Sequence, residues 1–347
     1  MMKRKNRRLM SRFVLSLLGA ASLAFLSPLT EAWSQSPKGQ DLLNVSYDPT
    51  RELWRDVNER FIPAYEKQTG TALVVKQSHG GSGSQARAVI DGLEADVVTL
   101  ALWPDTQQIA KAGLLAKDWE SRLPNNSVAY NSTIVFVVRK GNPKGIKDWG
   151  DLTKPGIEII TPNPKTSGNG KLSFIAAWGS VKDKGGSDEE ALALVTSIYE
   201  KTPVLDAAAR GSTTTFVQKK IGDVHLTWEN EAHLEARESG GELEIIYPSS
   251  SFLAQPPLAV VDANVDRKGT RAAADAYLRW VYTDEGQEVA AKNFYRPTNA
   301  AILAKHSATF PAIKLFPITT VDPGGWDTVN KRFFAEGGVF DQIYKPH

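Results

Sequence analysis

The 347-residue chain contains no cysteine, which excludes disulfides, thiolate metal sites, a cysteine nucleophile and an anchor built on a lipidated cysteine. Histidine is scarce as well, with five residues. Charge of one sign is also missing: 41 Lys and Arg stand against 39 Asp and Glu. Much of the basic excess sits in the opening Met1-Met2-Lys3-Arg4-Lys5-Asn6-Arg7-Arg8. Without that segment the chain is near neutral or slightly acidic, so a nucleic-acid partner is not indicated. No apolar run reaches the roughly 20 residues that a spanning helix needs.

The basic opening leads into an apolar stretch from Phe13 to Leu26, then Pro28 and Ala32-Trp33-Ser34. Positive, apolar and small-residue regions in that order describe a secretory signal peptide, residues 1–34, cleaved near Ser34. The expectation is a soluble exported protein. Without a lipid anchor, such a protein is best retained in a periplasm. About 310 residues remain by the length of that segment, which suits two domains better than one large core.

Short apolar runs alternate with longer segments of helical period, the pattern of an α/β protein with parallel sheets covered by helices. Strands are expected at 42–46, 72–77, 96–101, 133–139, 158–161, 224–227, 243–247 and 258–262. Helices fit between them at 51–68, 84–93, 105–112, 171–178, 189–201, 214–220, 271–282 and 286–292. No Ser/Gly linker divides the chain, so two domains would need the backbone to cross between them more than once. Thr133–Arg139 and Trp228–Leu234 are the candidate crossings. The expected first domain is 35–130 plus about 235–295, and the second 131–234 plus about 296–347.

Ligand sites in open α/β sheets lie beyond the carboxyl ends of strands. Four strand-to-helix loops there are rich in Gly, Ser or Thr: Ser46–Thr50, Ser78–Ser84, Thr161–Gly170 and Ala207–Thr214. Glycine admits close backbone approach, and the first N–H groups of a helix have no internal acceptor. Several helix N-termini meeting at one point would bind an anion, although each loop taken alone is also an ordinary turn with an N-cap.

Other chemistries fit poorly. Gly168-Asn169-Gly170-Lys171 lacks the upstream glycine and the following Ser or Thr of a phosphate-binding loop, and His79-Gly80-Gly81-Ser82-Gly83 holds no dinucleotide fingerprint. Gly81-Ser82-Gly83 is not a nucleophile elbow. His225, Glu229 and His233 are spaced by four, but Val224-His225-Leu226-Thr227 alternates like a strand, which breaks helical ligand geometry. The alternative of a secreted sulfate or phosphate ester hydrolase finds neither nucleophile nor metal cluster. No catalytic residue, cofactor or metal is expected.

Asn44–Leu53, Gln77–Gly83, Thr161–Lys165, Ala209–Thr213, Trp228–Glu231 and Ala290–Pro297 together resemble, in order, the bacterial periplasmic sulfate-binding proteins. The resemblance implies a two-domain, hinged periplasmic binding protein fold of type II with the ligand between the domains. It also implies a monomer that delivers sulfate, or thiosulfate as the alternative, to the membrane permease of an ATP-driven importer. It further implies backbone donors at Asp48, Ser82, Gly168, Asn169 and Ala209, the Ser167 hydroxyl and the Trp228 indole. His79 and Arg210 are expected behind the site. The family usually has glycine where this chain has Asn169, and Asn tolerates a left-handed backbone better than most residues. Such a cage holds donors only, so it would reject a ligand that must donate a proton.

Overall fold

The first strand, β1 (Gln40–Tyr47), ends where Pro49 removes a backbone donor. Its last residues turn directly into a helix, with Thr50 Oγ1 donating to the Tyr47 carbonyl at 2.7 Å. That helix, α1 (Arg51–Thr69), buries Leu53, Trp54, Val57, Phe61 and Tyr65 on one stripe and stops at Gly70, which takes φ +69°. Both ends follow the expected logic of a helix that starts at a turn and terminates in a left-handed glycine. The computed structural model describes residues 39–344, so the expected signal peptide lies outside the described residues.

Eight main strands build two sheets. The first holds β1, β2 (Leu73–Gly80), β3 (Val97–Thr99) and, at one edge, the late strand Leu258–Val260. Around it sit α1, α2 (Ser82–Ile90) and α3 (Trp103–Lys111). The second sheet holds β4 (Ile134–Arg139), β5 (Ile159–Ile160), β6 (Val224–Trp228) and β7 (Leu243–Ile246), in the order β5-β6-β4-β7. With these strands numbered, Leu258–Val260 is β8. The helix α4 (Gly168–Lys182) is buried from Gly168 to Ser180, and α5 (Asp188–Glu200) packs along it. Two more follow: α6 (Ala209–Thr213), which runs on as a π-helical turn to Gln218, and α7 (Glu229–Glu238).

Every expected strand is present, but the sheets are mixed where parallel ones were expected. β1 pairs in parallel with β2 and β3, and β5 with β6, whereas β8 runs antiparallel to β3 and β4 antiparallel to both β6 and β7. The antiparallel strands are those that enter a sheet after the chain has come over from the other one. β7, expected with the first sheet, pairs with β4 in the second through Phe136 to Ile246 and Arg139 to Leu243.

The crossings also differ from expectation. Thr133–Arg139 is mostly β4, well inside the second sheet, and Glu229–Glu238 is helical. The chain passes between the sheets just before β4 and again between β7 and β8. These two segments touch through the bridges Val128 to Pro257 and Ser132 to Ala254. Such side-by-side passage leaves no linker composition to read.

Candidate functional site

All four Gly/Ser/Thr-rich loops end at helix heads, and the heads face one another between the sheets. Asp48 opens the turn into α1, Ser82 is the first residue of α2, Gly168 and Asn169 are the first two of α4, and Ala209 is the first of α6. At those positions a backbone N–H has no acceptor within its own helix. The field of each helix end adds a partial positive potential of roughly half a charge.

These residues, with Ser167 and Trp228, line a cavity of about 10 Å³. That is the scale of one water or small ion, far below the several hundred cubic ångströms of an organic ligand site. Thus all seven expected ligand residues meet at one point. Tyr47, Pro49, Gly80, Gly81 and Ala208 also line it and were not singled out in the sequence. They are chain neighbours of the chosen donors, and among them Tyr47 carries a buried hydroxyl with no hydrogen-bond partner among the described residues.

The side-chain donors are poised differently. The Trp228 indole is wholly buried at the end of β6, and its Nε1–H has no hydrogen-bond partner among the described residues. Ser167 caps α4, its Oγ accepting from Gly170 N at 3.4 Å, so the hydroxyl proton is free to donate outward. Ser82 Oγ likewise accepts from Ala101 N at 3.1 Å. Tyr47 stacks obliquely on Trp228, ring centroids 5.3 Å apart, and burial pushes its phenol well above the usual range, so it stays a neutral hydroxyl.

Among the described residues, no unpaired charge lines the cavity. The Asp48 carboxylate is tied up by two arginines. Its Oδ1 accepts from Arg51 Nε at 3.0 Å and Nη2 at 2.6 Å, and its Oδ2 from the Arg210 backbone N–H at 3.1 Å. Arg210 spreads its guanidinium between Glu52 and Glu231, each 2.7 Å away, and does not line the cavity. Lys165 reaches Asp341 at 2.7 Å, and Lys171 faces Asp105 at 3.7 Å. His79 bonds Gln77 at 2.8 Å and does not line the cavity. Burial, then Arg51, holds its ring below the usual pKa, which keeps it neutral.

The residues of the rejected metal reading go to separate partners. His225 lies in β6 against Glu235 at 3.0 Å, Glu229 is paired with Arg296, and His233 stacks on Phe294.

Asn169 corrects one expectation. It sits inside α4 with an ordinary helical backbone and is not among the residues with positive φ, so left-handed tolerance plays no part in its being there. Its flanking glycines are sterically required. A Cβ on Gly170 would stand 2.7 Å from the Asn163 carbonyl carbon, and one on Gly168 would meet Ala101.

The family model for bacterial extracellular solute-binding proteins matches residues 54–296. The chain belongs to that family. It is 52% identical over 322 residues to the sulfate-binding protein of Escherichia coli K12, covering 92% of this chain and 98% of that protein. It is 49% identical over 310 residues to the thiosulfate-binding protein of Pseudomonas aeruginosa, covering 89% and 93%. Among solved structures, the sulfate-binding protein SubI from Mycobacterium tuberculosis H37Rv superposes with a TM-score of 0.77 at 33% identity, covering 85% of this chain and 99% of that one. The periplasmic binding protein fold implied by the resemblance is therefore the fold of this solute-binding chain.

Proposed function

We propose that this chain is a periplasmic receptor that captures sulfate in the cavity between its sheets and hands it to the permease of an ATP-driven importer. It is a binding protein and not an enzyme. The observation that carries the reading is the meeting of four helix heads with the unpartnered indole N–H of Trp228 around a cavity of ionic size. Burying a dianion without compensation costs on the order of tens of kcal/mol. Each hydrogen bond to a charged acceptor returns roughly 1.5–3 kcal/mol, and the helix fields add to that. Backbone N–H groups of Asp48, Ser82, Gly168, Asn169 and Ala209, the Ser167 hydroxyl and the Trp228 indole make seven donors. They offset the cost with no Lys or Arg in contact.

Selectivity follows from the same set. Near neutral pH phosphate carries a proton that needs an acceptor, and the Asp48 carboxylate already accepts three hydrogen bonds from Arg51 and Arg210. Sulfate has no such proton. Thiosulfate is not favoured, because its larger terminal sulfur accepts N–H and O–H hydrogen bonds poorly in a cavity this small.

Residues on the two sides of the cavity belong to different sheets, which supports capture by hinged closure, with the paired crossing segments as the hinge. Among the described residues no helix is long and apolar enough to cross a membrane. Export through the basic and apolar opening segment, cleavage near Ser34 and action as a monomer complete the reading.

The test is calorimetry of refolded, ligand-free mature protein with sulfate, thiosulfate and phosphate at pH 7. Tight sulfate binding with phosphate weaker by a thousandfold or more is expected. Equal affinity for phosphate would overturn the donor-only cage.

A further inference from the structure

The strand β5 is only two residues long, and its pairing with β6 ends at Ile160 opposite His225. Beyond that point Thr161-Pro162 leads the chain away, and the edge of β6 from Leu226 to Trp228 has no strand beside it. Those residues are wholly buried, so the orphaned peptide groups cannot turn to bulk water. The Asn169 carboxamide fills the gap. Its Oδ1 accepts from the Trp228 backbone N–H at 3.1 Å, and its Nδ2 donates to the Leu226 carbonyl at 3.0 Å. A second contact from Nδ2 reaches Ser173 Oγ at 3.3 Å, one helical turn on. An acceptor toward residue j+1 and a donor toward j−1 is the pattern one residue of a parallel neighbour presents to a strand.

We propose that Asn169 is a positioning residue whose side chain substitutes for a missing strand residue and fixes the Trp228 indole against the head of α4. The effect on ligand capture rests on the sulfate reading above. The staple itself joins α4 to β6 on one side of the cavity and does not depend on closure or ligand. Its purpose follows from where the donors lie. Gly168 and Asn169 offer backbone N–H groups from α4, Trp228 offers its indole from the end of β6, and the carboxamide is the shorter polar tie between the two, with Ser173 Oγ reaching the Leu226 carbonyl at 3.5 Å as the longer one. Only an amide of this length supplies both an acceptor and a donor here. Glycine leaves the Trp228 N–H without a protein partner and the Leu226 carbonyl with only a long contact from Ser173 Oγ at 3.5 Å. Aspartate still accepts from Trp228 but sets a carboxylate against the Leu226 carbonyl and adds negative charge beside the anion.

Two readouts test this on the mature chain. In ligand-free wild type, amide exchange at Trp228 should be slow. Asn169→Gly should speed it at least tenfold and weaken sulfate about tenfold, with a smaller sulfate-induced shift of the Trp228 indole N–H resonance. Asn169→Asp should keep the Trp228 amide protected while losing more sulfate affinity than the glycine variant does. The proposal is overturned if Trp228 exchanges fast in wild type, or if Asn169→Gly leaves its protection and sulfate affinity within twofold. Wild type that shows a slow Trp228 amide but no sulfate binding would sink the sulfate reading and leave the staple standing. Should Asn169→Gly not fold, the wild-type exchange rate and the Asp variant still decide.

Discussion

Gly168, at the head of α4, lies so close to Ala101, just beyond β3 of the opposite sheet, that a Cβ added to it would stand 2.6 Å from the Ala101 methyl carbon. Real contacts of that kind do not occur, so one of the two must be small for the sheets to close on the cavity. Gly168→Ala should leave each half of the molecule folded and weaken sulfate at least tenfold by calorimetry. Because the obstacle is one methyl group against another, Gly168→Ala combined with Ala101→Gly should recover much of the loss. A double variant no better than the single one would mean that Gly168 serves some other need.

The Trp228 indole gives the second prediction. Trp228→Phe deletes one donor and keeps most of the ring that packs on Tyr47. Loss of a hydrogen bond to a charged acceptor should weaken sulfate by about 1.5–3 kcal/mol. Unchanged affinity in calorimetry would remove the indole from the cage.

The helix heads explain why the site was only half legible in the sequence. Apolar periodicity announces a helix where its buried stripe begins, and it placed the starts at 84, 171 and 214. The helices begin earlier, at Ser82, Gly168 and Ala209. Those missing first turns hold the donors, and they are built mainly of small and polar residues, Ser82-Gly83, Gly168-Asn169-Gly170 and Ala209-Arg210-Gly211-Ser212-Thr213, which carry no apolar periodicity. Composition marked them as loops of interest, and resemblance supplied which residues point inward. Strands were legible because their runs are short and apolar. The sheet membership of β7 was not, since pairing is settled by the crossings rather than by β7's own residues. The role of the Asn169 side chain was beyond reach too, because nothing local signals that β5 stops two residues too soon.

Glu231 yields a dependence on pH. It is buried behind the cavity, and burial pushes its carboxyl up to about 8, with Arg210 pulling against the shift and Glu235 adding to it. The unfolded value is about 4.3. A carboxyl with a raised folded pKa holds its proton more tightly in the fold. Its contribution therefore favours folding at low pH and declines as pH rises from about 4.3 to about 8, then levels off. Glu231→Gln removes that titration while keeping an acceptor for Arg210. The melting temperature of wild type should drop more between pH 5 and pH 8.5 than that of the variant, and parallel curves would show that Glu231 does not titrate in this window.

Two ion pairs of similar length should differ sharply in what they contribute. Arg296 grips Glu229 through Nε and Nη2, both at 2.7 Å, with the glutamate wholly buried at the start of α7 directly after Trp228. Lys76 and Asp41 lie 2.6 Å apart on the first sheet, both more than half exposed. For the exposed pair, solvent screening and side-chain entropy leave about 0–1 kcal/mol. The buried pair is different, because removing Arg296 strands the Glu229 carboxylate in a medium where burial already raises its pKa against the pull of that arginine. Arg296→Met should therefore cost about 3–5 kcal/mol in denaturant unfolding, and Lys76→Met less than about 1 kcal/mol. Adding Glu229→Gln to Arg296→Met neutralises the stranded charge, so the double variant should be more stable than Arg296→Met alone. If it is less stable instead, Glu229 holds the fold through contacts other than this pair.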